Sequence, residues 1–400
     1  MSRDPVRSGS RLAGLRAGLI RRLGGAVLAA ATLAAVPACL ASRELDVGRP
    51  VMRLRWKLVT SDRAKDTKPQ EFASVVTAGD QVFTGSAGGR FFSIHADDGR
   101  VRWVQELGAV SARPALAGPY LFVGTDDGEM VALEHQTGKV AWRYETRGPI
   151  LEAPVVIDDG RTSTPGQDLD AVVVFSNEAD QVYALDAETG KLRWQYRGET
   201  PEEYTLRGHA GVALAEGLVF TGFANGTMVA LRQNTGSVAW LSSLSGEAER
   251  FVDADGTPAI HGSTVYITSS SGGAYALDRT TGLVRWRLPI EGAGGLAVER
   301  GRVYVAAANR GMHAVDSAGH TVWRQGTWGG GEPATPLISG SYVIYSLSED
   351  GMFIADKRTG ELYQYFDPGD GVSAPATVDG DRLYVLSNRA ILYALDVTEF

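Results

Sequence analysis

A phrase of thirteen residues recurs along the chain: "MVALEHQTGKVAW" (130–142), "VYALDAETGKLRW" (182–194) and "AYALDRTTGLVRW" (274–286). Each copy runs from an apolar stretch to a Thr-Gly pair, and a tryptophan follows four residues after the glycine. Trp103, Trp142, Trp194, Trp240, Trp286 and Trp323 all stand in that relation to a glycine, at separations of 39, 52, 46, 46 and 37 residues. A further copy, "MFIADKRTGELYQYF" (352–366), puts tyrosines in place of the tryptophan. The last segment, "LYALDVTEF" (392–400), begins the phrase and reaches neither turn nor tryptophan.

Upstream of each phrase lie two more short apolar runs, the first often marked by proline ("ARPALAG", "EAPVVID", "ATPLISG"). The segments are four to seven residues long, rich in Val, Tyr, Ala and Thr, and separated by turn residues. Glycine supplies 49 of 400 residues, well above the usual ~7%. No helical period is visible after the first 38 residues, so the segments read as antiparallel strands. Four short strands per period of this length is the pattern of a propeller blade. Innermost strands fall near residues 73, 112, 152, 211, 257, 295, 334 and 373, which makes eight. Outer strands preceded by a turn glycine number seven. "MRLRWKLVT" (52–60) carries Trp56 with no such turn, so it is expected to pair with 392–396 and complete the last blade. The expected fold is therefore all-β: an eight-bladed β-propeller of four-stranded antiparallel blades, its ring closed by an N-terminal strand over residues 52–400.

Residues 1–38 are a separate piece, with six arginines, one acid and the apolar run "LGGAVLAAATLAAV" (23–36). Fourteen residues suit the core of a secretory signal better than a membrane span. The following "VPAC" resembles a bacterial lipobox, which implies cleavage before Cys39 and acylation of that residue, the single cysteine of the chain. Several acyl chains hold a protein on a membrane where one does so only marginally. Leu40, rather than an aspartate, follows the cysteine, and the lipoprotein rule then implies the outer membrane. Residues 39–51 are read as the lipidated cysteine and a tether, 40–50 spanning roughly 35–40 Å when extended. Without residues 1–38 the formal charge moves from −8 to −13. No basic cluster remains, so nucleic acid is not an expected partner, and the six histidines show no metal-ligand spacing.

The phrase resembles the repeat of the quinoprotein dehydrogenases, and over the whole chain the sequence resembles the BamB family of outer-membrane assembly lipoproteins. That resemblance implies a non-enzymatic scaffold without cofactor, facing the periplasm, that binds BamA and assists outer-membrane proteins. It also implies the partner-binding residues. Leu206 and Arg207 match the family's contact segment, and Asp253 and Asp255 match its paired aspartates. Tyr204 stands where the family has a second leucine. Links from the outer strand of one blade to the inner strand of the next all emerge on one face. Residues 204–208 precede blade four and 253–255 precede blade five, so they are expected at adjacent corners. The same residues are also compatible with an internal Arg207 ion pair or with aspartates capping their own turns. "DADG" lacks the remaining ligands of a calcium loop.

Two other classes stay open at this point. A dehydrogenase of the quinoprotein kind would need a quinone pocket with adjacent cysteines, which the chain lacks. A sensor or ligand-binding propeller would use the axial channel, where "GTWGGGEPA" (326–334) with Trp328 is a candidate lining. Two long polar loops, 158–170 and 197–211, are further places for binding.

Overall fold

The computed structural model describes residues 52–61, 70–157, 171–198, 210–244, 253–254, 256–308, 310–326 and 330–397. Among them are 32 strands and no helix, arranged as eight four-stranded antiparallel sheets. Blades one to seven are continuous in sequence and span 76–106, 115–145, 155–197, 213–243, 259–288, 293–325 and 337–366. Blade eight is composite: β1 (Met52–Val59) lies outside β32 (Ile391–Val397), with Trp56 opposite Ala394. The propeller and its closure agree with the sequence. Seven of the eight inner strands begin two to four residues later than their sequence positions. The entry prolines explain part of that offset, because a proline has no N–H for the ladder.

The hydrophobic cores lie between blades. One joins Phe122 and Met130 of blade two to Val173, Phe175 and Tyr183 of blade three. Another joins Trp56, Tyr384 and Leu392 of blade eight to Ala73, Val82 and Phe92 of blade one. Within a blade, one row of directly opposed residues sets the packing. In blade two it is Phe122, Ala132 and Trp142, with the two rings 5.9 Å apart over the alanine. A large middle residue would separate them. Blade seven shows the alternative, with Ile344, Ile354 and Gln364 in the same register.

Each tryptophan of these rows docks on the next blade. The Trp142 indole donates to the Ala187 carbonyl at 3.0 Å and lies against Gly190. A Cβ there would meet the ring at 2.6–2.7 Å, and the glycine has φ +69°, so two constraints select it. Trp56 repeats the contact across the closure, donating to Ala96 at 2.8 Å and covering Gly99. The joint from blade seven to blade eight differs. Gln364, and not a tyrosine, occupies the tryptophan register, and its Oε1 accepts the Met52 N–H at 2.7 Å. Blade eight has no Thr-Gly turn for an indole to cover, because its outer strand comes from elsewhere in the chain. The amide holds the first residue of that strand in its place.

All eight outer strands bulge at the residue before the tryptophan register. In four of them that residue is an arginine: Arg55, Arg102, Arg193 and Arg285. Arg193 reaches the turn carboxylate of Asp186 at 2.8 Å, and Arg285 reaches Asp278 at 2.7 Å. The guanidinium of Arg285 and the Thr281 amide hold the Asp278 pKa down to about 2. A bulge twists an edge strand, which opposes unwanted edge-to-edge pairing on the rim.

Candidate functional site on the link face

Antiparallel order places the links between blades on the same side as the turns between the second and third strand of each blade. The sequence-derived site is expected on this face. Tyr204, Leu206, Arg207 and Asp255 lie outside the described residues, as do Cys39, Trp328 and the loop 158–170. Asp253 is described, as are the downstream ends of both links.

Those ends are tied together. The Thr257 hydroxyl, at the end of the link into blade five, donates to Glu152 Oε2 of the link into blade three at 2.9 Å. The Gly211 amide, at the end of the link into blade four, donates to the same hydroxyl at 3.1 Å. A Cβ on Gly211 would sit 2.5 Å from the Thr257 hydroxyl and 3.1 Å from the Glu152 carboxylate, so this crossing requires a glycine. One hydroxyl and one carboxylate thus fix three consecutive blade entries.

Four residues before Thr257, Asp253 is half-buried, and burial pushes its pKa up. The next residue, Ala254, is fully buried and donates its N–H to the Phe223 carbonyl at 3.2 Å. The neighbouring Ala224 N–H donates to Asp180 Oδ1 at 3.2 Å. Asp180 and Asp253 therefore flank one turn of blade four from either side. Asp180 is only 3% exposed and has φ +52°, a conformation uncommon outside glycine, asparagine and aspartate. Burial raises its pKa most, the Ala224 amide opposes that, and the charge of Asp253 adds to the rise. Among the described residues, no cation acts on either carboxylate. Two carboxylates whose charged forms burial disfavours attract a cationic or hydrogen-donating group.

The sequence reading missed Asp180, Glu152 and Thr257. Thr257 carried a signal, as the polar residue in the entry element "GTP", and Glu152 stands in "EAP" where the equivalent blade-two position is Ala112.

Fold and site together define a class: a closed propeller of tryptophan-docked repeats that presents a stitched group of links on one face. The chain belongs to the family described as outer membrane protein assembly factor BamB, which matches residues 93–325. A relative of that name from Yersinia pestis is 27% identical over 269 residues, covering 64% of this chain and 63% of the relative. The solved BamB of Moraxella catarrhalis superposes with a TM-score of 0.71 at 20% identity, covering 86% of this chain and all of that one. A europium-containing methanol dehydrogenase superposes at 0.69 with 15% identity, covering 86% of this chain and 93% of that one. At such identities these two likenesses concern the fold.

Proposed function

We infer that this chain is a non-enzymatic, lipid-anchored scaffold of the outer-membrane β-barrel assembly machinery. Cleavage before Cys39 leaves residues 39–51 as anchor and tether, with the propeller facing the periplasm. The links into blades four and five bind a BamA-like protein, and the bound assembly assists folding and insertion of outer-membrane proteins. Leu206 and Tyr204 supply apolar contact, Arg207 an oriented guanidinium, and Asp253 and Asp255 acceptors for donors on the partner. The observation that carries this reading is the Glu152–Thr257–Gly211 crossing, because it holds the ends of both links in one arrangement. Family membership supports the same direction.

Affinity purification from solubilised outer membranes tests it. Recovery of a BamA-like protein with the intact chain, and its loss with Arg207→Glu, is the expected result. A folded, membrane-anchored protein that recovers no such partner would overturn the assignment.

A further inference from the structure

The eight chain entries to the innermost strands form a ring at the mouth of the axial channel on the link face. Taken by register, the position two residues before the inner-strand member of each row carries Ser, Ala, Gly, Thr or Pro in seven blades, Ser74, Gly211 and Thr335 among them. In blade two it carries Arg113, two residues before Ala115, which pairs with Phe122. One arginine therefore stands in a ring of small, uncharged residues.

Its orientation is fixed. Arg113 Nε donates to the Val75 carbonyl of blade one at 3.1 Å. The Thr377 hydroxyl of blade eight donates to that same carbonyl at 3.0 Å, so the acceptor is held from two sides. Anchoring through Nε leaves the far end of the guanidinium, where the two terminal nitrogens carry parallel N–H groups, unused by that bond. The side chain is exposed, yet surrounding protein lowers its pKa by desolvation, and among the described residues no carboxylate acts on it. The group remains cationic at neutral pH.

We propose that Arg113 is the receptor of an anion site at the channel mouth, and that it takes a single carboxylate. The free end of a guanidinium offers parallel N–H groups whose spacing matches the two oxygens of a carboxylate. A monoanion fits better than a dianion, because Arg113 is the one cation at these eight positions and the chain as a whole is acidic. The site lies on blade two, so it does not depend on the links into blades four and five.

Melting curves of the intact protein test this, run with sodium acetate or inorganic phosphate against sodium chloride at constant ionic strength. A ligand that binds only the folded state raises the midpoint with a saturating dependence on its concentration. The expected result is a saturating rise with acetate in the wild type, a smaller rise in Arg113→Lys, and none in Arg113→Gln. Equal rises in wild type and Arg113→Gln would overturn the site. A rise with phosphate but not acetate would overturn the carboxylate assignment. If Arg113→Gln does not fold, wild-type crystals soaked in 4-bromobenzoate decide the matter. Bromine anomalous density beside Arg113 is expected, and a channel mouth without it overturns the proposal.

Discussion

Thr257 and Glu152 are 105 residues apart in sequence and 2.9 Å apart at the channel mouth. Their hydrogen bond makes the ends of neighbouring links a single rigid base, and charge changes on the links should act on binding without unfolding the ring. Arg207→Glu, or Asp253→Lys with Asp255→Lys, is expected to weaken partner affinity by at least ~2 kcal/mol, the scale of an interface hot spot. Titration calorimetry and a melting curve on the same variants check this. Unchanged affinity in well-folded variants would move the interface elsewhere.

Asp180 offers a test with a definite sign. Its folded pKa is raised, so its contribution to stability is complete below the unfolded value of 3.8 and is lost as pH rises through the folded pKa. Above that point its charge and that of Asp253 oppose folding. Asp180→Asn keeps an acceptor for the Ala224 amide and should raise the midpoint at pH 7, with the gain vanishing near pH 3. A gain of equal size at both pH values would show that charge is not the cause.

The closure contact predicts unequal truncations. Loss of 39–50 should leave the melting temperature unchanged, whereas loss of 39–60 removes β1 and should destabilise the ring by several kcal/mol. Gln364→Ala removes the acceptor of the Met52 amide and should cost about 0.5–1.5 kcal/mol. Denaturant unfolding of the three proteins gives the comparison, and equal stability of the two truncations would contradict the closure argument.

Gly190 and Gly217 separate two effects. Both have positive φ, at 69° and 77°, but nothing lies within 4 Å of a Cβ at Gly217, whereas the Trp142 ring lies under Gly190. Gly217→Ala should cost about 1 kcal/mol for its backbone alone. Gly190→Ala should cost more, together with a red shift of tryptophan emission as the indole is displaced. Equal costs would mean that the indole contact adds nothing.

For the anchor, Cys39→Ser should abolish incorporation of radiolabelled palmitate and leave uncleaved precursor or a soluble form. Label persisting on that variant would show that the lipobox reading is wrong.

The blade count and the closing strand were legible because the row residues recur at fixed spacing. Trp56 without a turn and Leu392 without a tryptophan are complementary fragments of one phrase. The occupant of the odd joint was misread. Tyr363 and Tyr365 draw the eye in "ELYQYF", but strand alternation puts Gln364 in the docking register. The bulge arginines were present as a repeated Arg-Trp pair (55–56, 102–103, 193–194, 285–286), whose meaning needs the bulge to be seen. Asp180 could not be found from spacing. Its role arises from the approach of blade three's turn to blade four's, a contact between segments that share no pattern.

The pairing of Met52–Val59 with Ile391–Val397 has a consequence for biogenesis. A strand near the beginning of the propeller sequence cannot find its partner until the residues at its far end are available. A chain broken off anywhere before residue 391 would keep Met52 and Trp56, both buried in the finished ring, on an unpaired edge. Such edges are what proteases and chaperones encounter in incomplete proteins. Ring closure therefore doubles as a check on chain completeness: only a polypeptide carried through to its final strand can hide the mark of its own immaturity.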